Sequence, residues 1–416
     1  MLGKDLIMQT LLGGGSSGGG SSGGGGGSAA VSPKEVNFYD YDGTCVHAYT
    51  VAEAQALSAL PAGPEHPGLV FQGWNWSLEG VKGLTRPMNV GAMYTTDDGT
   101  TRLYITLQEG RTSPMLGVGV NGTVTVDWGD GTEPDVLTGT NTSTAKWTPN
   151  HAYEKPGNYV IRLTVDGEME LFGSANTKTG AYILRYSTGG DARNYVYQGA
   201  LQKLEIGNNV TLGASALYGC KSLPAVNIPN RVDTIAPSAF RGCYSLKHVT
   251  IPTNVTEIGG YAFSGSSALA TISFSENVVT INNDSFYSCA ALLNARIPDG
   301  VTGNQSITFS NCSSIASLNL PEGQTQLGVY TLNECHVLTF LKIPGTVTSL
   351  NINAIYNCYG LAVIDFTDCG AVPSMSNTNS LQGIPADCEI RVPAALYDEW
   401  IAATNWTKYA NQIVAY

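Results

Sequence analysis

A step of 23 residues governs the C-terminal half of this chain and limits what it can fold into. Cys220, Cys243, Cys289, Cys312, Cys335 and Cys358 occupy one position of that step, with Ser266 in the remaining slot. Three residues before it come Leu217, Phe240, Phe263, Phe286, Phe309, Leu332 and Ile355; three after it come Leu223, Leu246, Leu269, Leu292, Ile315, Leu338 and Leu361. A constant step with a fixed apolar template marks a solenoid, in which no coil buries its core alone and each leans on its neighbours.

Within each unit two apolar residues stand two apart, as in Val226/Ile228, Val249/Ile251, Ile272/Phe274, Leu318/Leu320, Leu341/Ile343 and Ile364/Phe366. That spacing is a short strand turning one face inward. Pro229, Pro252, Pro298, Pro321 and Pro344 follow the strand and end its pairing, since proline has no N–H to donate. One strand per coil, with loop and at most a helical turn making up the rest, predicts a parallel sheet roughly 30 Å long at about 4.8 Å per coil. An offset eighth unit at Leu201, Leu204 and Ile206 extends it.

Segments such as IPTNVTEIGGYAFSGSSAL and IPNRVDTIAPSAFRGCYSL resemble leucine-rich repeats of the Bacteroides surface protein (BspA-like) type, over about residues 198–393. Ser275 and Thr367 replace the proline, and VTGNQSITFSNC lacks the usual Ile-Gly pair. Two further resemblances lie upstream. EVNFYDYDGTCVHAYT through GWNW is similar to an internalin-type B repeat, a small β-grasp-like module, in which Trp74 and Trp76 are expected as core aromatics. VTVDWGDGT followed by HAYEKPGNYVIRLTV resembles a polycystic-kidney-disease-type (PKD) immunoglobulin-like domain, which implies a spacer; Trp128, Gly129, Asp130 and Gly131 match its turn, and His151, Tyr153, Pro156, Gly157 and Tyr159 its closing hairpin.

The expected fold class is therefore mainly β: a parallel-strand leucine-rich repeat solenoid preceded by a PKD/Ig-like β-sandwich and a small β-grasp-like module. The expected order is an apolar anchor peptide (1–12), a Gly/Ser-rich flexible linker (13–34), the internalin-type module (35–87), the sandwich (88–175), the solenoid (176–393) and a helical cap (394–416). In the cap, Leu396, Trp400 and Ile401 recur at helix spacing, with Trp406, Tyr409 and Ile413 folding back. In the anchor, Ile7, Met8, Leu11 and Leu12 share one helical face, as a docking peptide would.

Nothing in the chain reads as a catalytic, metal or cofactor site. The cysteines lack the paired spacing of a metal site and read as small buried thiols, with Cys369 and Cys388 outside the row as the pair best placed for one disulfide. Asp130 in its Gly-Asp-Gly turn reads as a backbone-binding residue. The formal net charge of −12 disfavours nucleic acid, and no apolar run reaches the 18 residues of a membrane span.

Binding is the function left. Between the inward pairs stand Asn227, Thr250, Ser273, Arg296, Asn319, Lys342 and Asp365 on one outward row, preceded in each strand by residues such as His248 and Phe340. Arg296, Asn319, Phe340, Lys342 and Asp365, with Tyr330 and Tyr356 on the loops, form the expected recognition surface for a host cell-surface protein or glycan. The first expectation is a phage tail or head fibre-like virion protein, joined to other virion proteins by its N-terminus, with a homo-oligomer as one arrangement. The alternative is a bacterial surface adhesin of the BspA type.

Overall fold

The computed structural model describes residues 30–171, 183–185, 197, 199–301 and 308–416. The anchor peptide, most of the linker and residues 302–307 of one repeat lie outside the described residues. Mixed and antiparallel sheets occupy the N-terminal part and a parallel solenoid the C-terminal part.

Strands β1 (Val36–Tyr39), β2 (Cys45–Tyr49), β3 (Leu69–Trp74) and β4 (Met88–Thr96) form the first sheet in the order β2-β1-β4-β3, with β1 and β4 parallel. Two short helices cover one face: α1 (Val51–Gln55), opened by a Thr50/Glu53 capping box, and α2 (Leu78–Lys82), capped by Ser77. Strand β4, expected to begin the sandwich, is instead central to this sheet, and all nine of its residues are buried. Its two faces serve different cores, as the strand period of two requires. Met88, Val90, Ala92 and Tyr94 enter the module core, while Asn89, Gly91, Met93 and Thr95 face the solenoid.

The second sheet holds β5 (Thr101–Leu107), β6 (Met115–Asp127), β7 (Asp135–Trp147), β8 (Gly157–Leu171), β9 (Leu184–Arg185), β10 (Leu201–Glu205) and β11 (Val210–Leu212). Its path is β10-β5-β8-β6-β7, with β9 beside β6 and β11 beside β8. In place of two facing layers, the described strands hydrogen-bond into one sheet. Its core runs without a break from Leu103 into the solenoid as far as Ile413. The reason lies in β10, the expected eighth repeat strand. It pairs antiparallel with β5 and reaches the parallel row only through one bridge, Leu204 to Val226. The sheet thus closes the N-terminal end of the solenoid, where a spacer was expected.

The Trp128 turn is built as the motif suggests. Asp130 accepts from Thr132 N and Oγ1 and pairs with His151 Nε2 at 2.7 Å, and the His151 ring stacks on Trp128 at 4.5 Å.

Between the repeats the pairings join residue i to i+23, as in His248 to Thr271, Asn294 to Ser317 and Phe340 to Val363; the last coil is longer, with Leu350 paired to Met375 and Ile364 to Ile390. The coils carry more strand than the one per unit expected. A second ladder runs through Ile235, Ile258 and Ile281 and resumes at Leu327, Leu350 and Met375, and a third joins Leu332–Asn333 to Ile355–Tyr356. These isoleucines and leucines point inward, so the chain turns three sides to a common core. Phe240, Phe263, Phe286 and Phe309 stack in it ring on ring, with centroids 5.2, 5.5 and 5.4 Å apart.

The cysteine row has a specific job. Each thiol of Cys243, Cys289, Cys312, Cys335 and Cys358 donates to the carbonyl 26 residues earlier, at 3.1–3.5 Å. Ser266 does the same to Phe240 O at 2.7 Å, which explains why serine substitutes here: the slot needs a small donor. Burial pushes the Cys220 thiol up to about 12. All nine cysteines are buried free thiols, Cys369 and Cys388 included.

A left-handed residue recurs one place before this slot: Gly219, Gly242 and Gly265, then Ser288, Asn311, Glu334 and Asn357. Side chains resist that conformation by about 1–2 kcal/mol, against which glycine loses about 0.5–1 kcal/mol in unfolded-state entropy. Ser288→Gly is therefore expected to raise stability by about 0.5–1 kcal/mol, read from the denaturant midpoint; a lowered midpoint would count against the assignment.

The C-terminal end closes on α3 (Tyr397–Ala402), a 3-10 turn over Trp406–Gln412 and a last strand, Ile413–Ala415, parallel to Glu389–Val392. Trp400 and Trp406 are fully buried against each other and Phe366. The helical cap was expected; the strand that continues the ladder was not.

Candidate functional site

The solenoid's prolines create acceptors as well as ending strands. In this register the carbonyl of a strand's last residue would receive the N–H of the residue one past its partner in the next coil. Pro298, Pro321 and Pro344 stand at that place, so Phe274, Ile297 and Leu320 lose their ladder donor. The N-terminal module supplies substitutes. Trp76 Nε1 donates to Phe274 O at 2.7 Å, and Arg86 donates to Ile297 O at 2.8 Å and Leu320 O at 3.0 Å. Asn75 Nδ2 reaches Ile251 O and Ser273 O, and Asn89 Nδ2 reaches Ile272 O and Asn294 Oδ1. Buried carbonyls left unpaired are costly, which ties the module to this face.

The outward row expected to meet a partner is accordingly covered over much of its length. Asn227, His248, Thr250 and Ser273 are 1, 0, 4 and 0 % exposed. Asn227 Nδ2 donates to Tyr94 O, and the Tyr39 ring lies 5.3 Å from His248. A side chain at Gly91 would collide with Thr250, so glycine permits the close approach of β4. His248 is held between Thr271 Oγ1 and Thr250 Oγ1, and burial lowers its pKa to about 3.

The seven expected recognition residues therefore divide. Arg296 donates to Glu35 O, Met88 O and Asn89 Oδ1, and Asn319 donates to Pro87 O: both are engaged by the module. Asp365 holds its own turn by accepting from Thr367 N and Oγ1. Phe340 is 46 % exposed, and Lys342 pairs at 2.7 Å with Asp368, which raises its pKa. Tyr356 sits apart on the third ladder and Tyr330 in the turn that precedes it, their rings 6.3 Å apart, with Tyr330 held in the left-handed region.

Where the module ends, a groove of about 430 Å³ opens between Thr85 and Arg86 on one side and Ser317, Asn319, Glu322, Phe340 and Lys342 on the other. Asn319, Phe340 and Lys342 come together there. Arg86, Asn75 and Asn89 were missed by sequence reading; Trp76 lies in the module core as expected, and its donation to the solenoid was not foreseen. For Trp76 and Arg86 the signal available was the proline at the strand end, which leaves Phe274, Ile297 and Leu320 needing outside donors; the carbonyls reached by Asn75 and Asn89 are orphaned by no proline and gave no such signal.

This architecture, a capped parallel solenoid with one face partly covered, is that of a leucine-rich repeat protein. Residues 192–315 and 233–362 match the BspA type leucine rich repeat region, in six copies, so this stretch is a BspA-type repeat region. Among solved structures, a T. pallidum leucine rich repeat protein is 23 % identical over 44 % of this chain and 84 % of its own, with a TM-score of 0.35. A leucine-rich repeat protein from Bacteroides ovatus ATCC 8483 is 16 % identical over 58 and 79 %, TM-score 0.32. A leucine rich cell surface protein from Faecalibacterium prausnitzii A2-165 is 19 % identical over 61 and 94 %, TM-score 0.30. No curated protein matches the chain.

Proposed function

We propose that this chain is a non-enzymatic bacterial surface protein that attaches to its target through the repeat domain, with the groove beside Phe340 as the contact. The observation that carries the reading is the change along the strand face. It is closed by the module from Asn227 to Asn319 and open from Phe340 onward, where a large apolar ring stands 46 % exposed beside a charged pair. An exposed aromatic rimmed by polar groups is the usual make-up of an interface anchor. The BspA-type repeat match supports the surface reading. It gives the virion reading no support, and the anchor peptide on which that reading drew lies outside the described residues.

The test is attachment of the labelled protein to mucin-coated wells and to intact epithelial cells. Phe340→Ala with Lys342→Ala is expected to weaken attachment about tenfold or more; unchanged attachment would sink the assignment. Antibody to the solenoid is expected to label bacterial cell surfaces, and labelling confined to phage particles would restore the virion reading.

A further inference from the structure

A second cleft, of about 660 Å³, lies toward the N-terminal end of the solenoid, where the edge of the module meets the first coils. Its walls are almost entirely side-chain amides: Gln72 from β3, Asn208 from the loop between β10 and β11, and Asn230 and Asn254 from successive coils, joined by Arg231 and Asp233. Three separate parts of the chain therefore bring one kind of chemistry to one place.

The amides are fixed before any ligand arrives. Gln72 Oε1 accepts from Asn230 N at 2.9 Å and its Nε2 donates to Asn208 Oδ1 at 3.3 Å. Asn254 donates through Nδ2 to Asn230 O at 2.7 Å, and its backbone N–H reaches Asn230 Oδ1 at 3.2 Å. Arg231 is tied to Glu168. What these bonds leave over is informative. Among the described residues, Asn208 Nδ2, Asn230 Nδ2, Asn254 Oδ1 and the Asp233 carboxylate take no protein partner, and all of them line the cleft.

We infer that this cleft is a binding site for a neutral oligosaccharide, separate from the Phe340 groove. Free donors and free acceptors stand side by side, and a sugar hydroxyl is both donor and acceptor, so neighbouring hydroxyls can use both kinds at once. Arg231 is neutralised by Glu168, so the free charge is the Asp233 carboxylate, which repels a sialylated or sulfated ligand and favours an uncharged one. No large apolar side chain lines the cleft, so a peptide would find no pocket for the apolar anchors on which peptide docking depends. The fixed amides lower the ordering cost of binding.

The full chain is applied to an immobilised panel of neutral di- to tetrasaccharides of glucose, galactose, mannose and N-acetylglucosamine, beside sialylated and sulfated counterparts. Retention by neutral members is expected. Asn208→Ala with Asp233→Ala, both at exposed positions, should lower it about tenfold without shifting the thermal midpoint. Phe340→Ala should leave retention unchanged, so the two sites are judged independently. A panel in which nothing is retained, retention confined to acidic sugars, retention that survives the double substitution, or retention lost with Phe340→Ala would each overturn the inference.

Discussion

Phe286→Ala is expected to destabilise the solenoid by about 3–5 kcal/mol, the range for emptying a large aromatic site in a close-packed core. Phe286 is fully buried, stacked between Phe263 and Phe309 at 5.5 and 5.4 Å and touched edge-on by Phe274 at 5.8 Å. No neighbouring coil can collapse into the gap without breaking the 23-residue register of the ladders on either side. In an array held by nearest-neighbour interfaces, one weakened interface also uncouples the two halves. Urea unfolding followed by circular dichroism should therefore show an earlier and broader transition, splitting into two steps. A single transition at the wild-type midpoint would show that the ring stack is not what joins these coils.

Acid is expected to loosen the module from the strand face. His248 titrates near 6.5 when solvated and is lowered to about 3 where the module covers it. The covered state therefore refuses a proton that the open or unfolded state accepts. The contribution of His248 is complete above about pH 6.5, falls as pH drops below that value, and is gone near pH 3. At pH 5 the loss is about 2 kcal/mol. Tyr39, Asp42 and the two threonines face the imidazole, and Asp42, followed by a hydrogen bond to the Thr271 backbone, pulls the other way by favouring the charged form. Asp40, whose own carboxyl is raised by burial, also titrates in the module. The comparison is thus wild type against His248→Gln, with limited proteolysis at the module boundary and Trp76 fluorescence as readouts. The wild type should open between pH 6.5 and 4 and the variant should lose most of that dependence; identical profiles would remove His248 from the account.

The repeat was legible because its cause is local to the chain. A core shared between identical coils needs the same apolar residue at the same step, and Phe240, Phe263, Phe286 and Phe309 recur for that reason. The cysteine slot was read correctly as small and buried, while its use as a donor to the preceding coil became visible only with the carbonyl positions in place. The second and third ladders escaped because a two-residue strand carries too little period to be told from a loop. Strand β4 was misassigned because alternation identifies a strand by one wet face and one dry one, and β4 has no wet face.

The sequence by itself determined that the C-terminal half stacks in coils of 23 residues, which residues fill the stack, and that its end is closed by Trp400 and Trp406. Only the tertiary structure decided which surface is free. Asn89 of β4, with Asn75, Trp76 and Arg86, lies more than 150 positions from the carbonyls these side chains satisfy. Nothing in a periodic pattern records a contact between a repeat and a segment outside it. Such a contact depends on two complementary rows of donors and acceptors meeting in space, so the partly covered face and its open groove follow from the fold and not from the step.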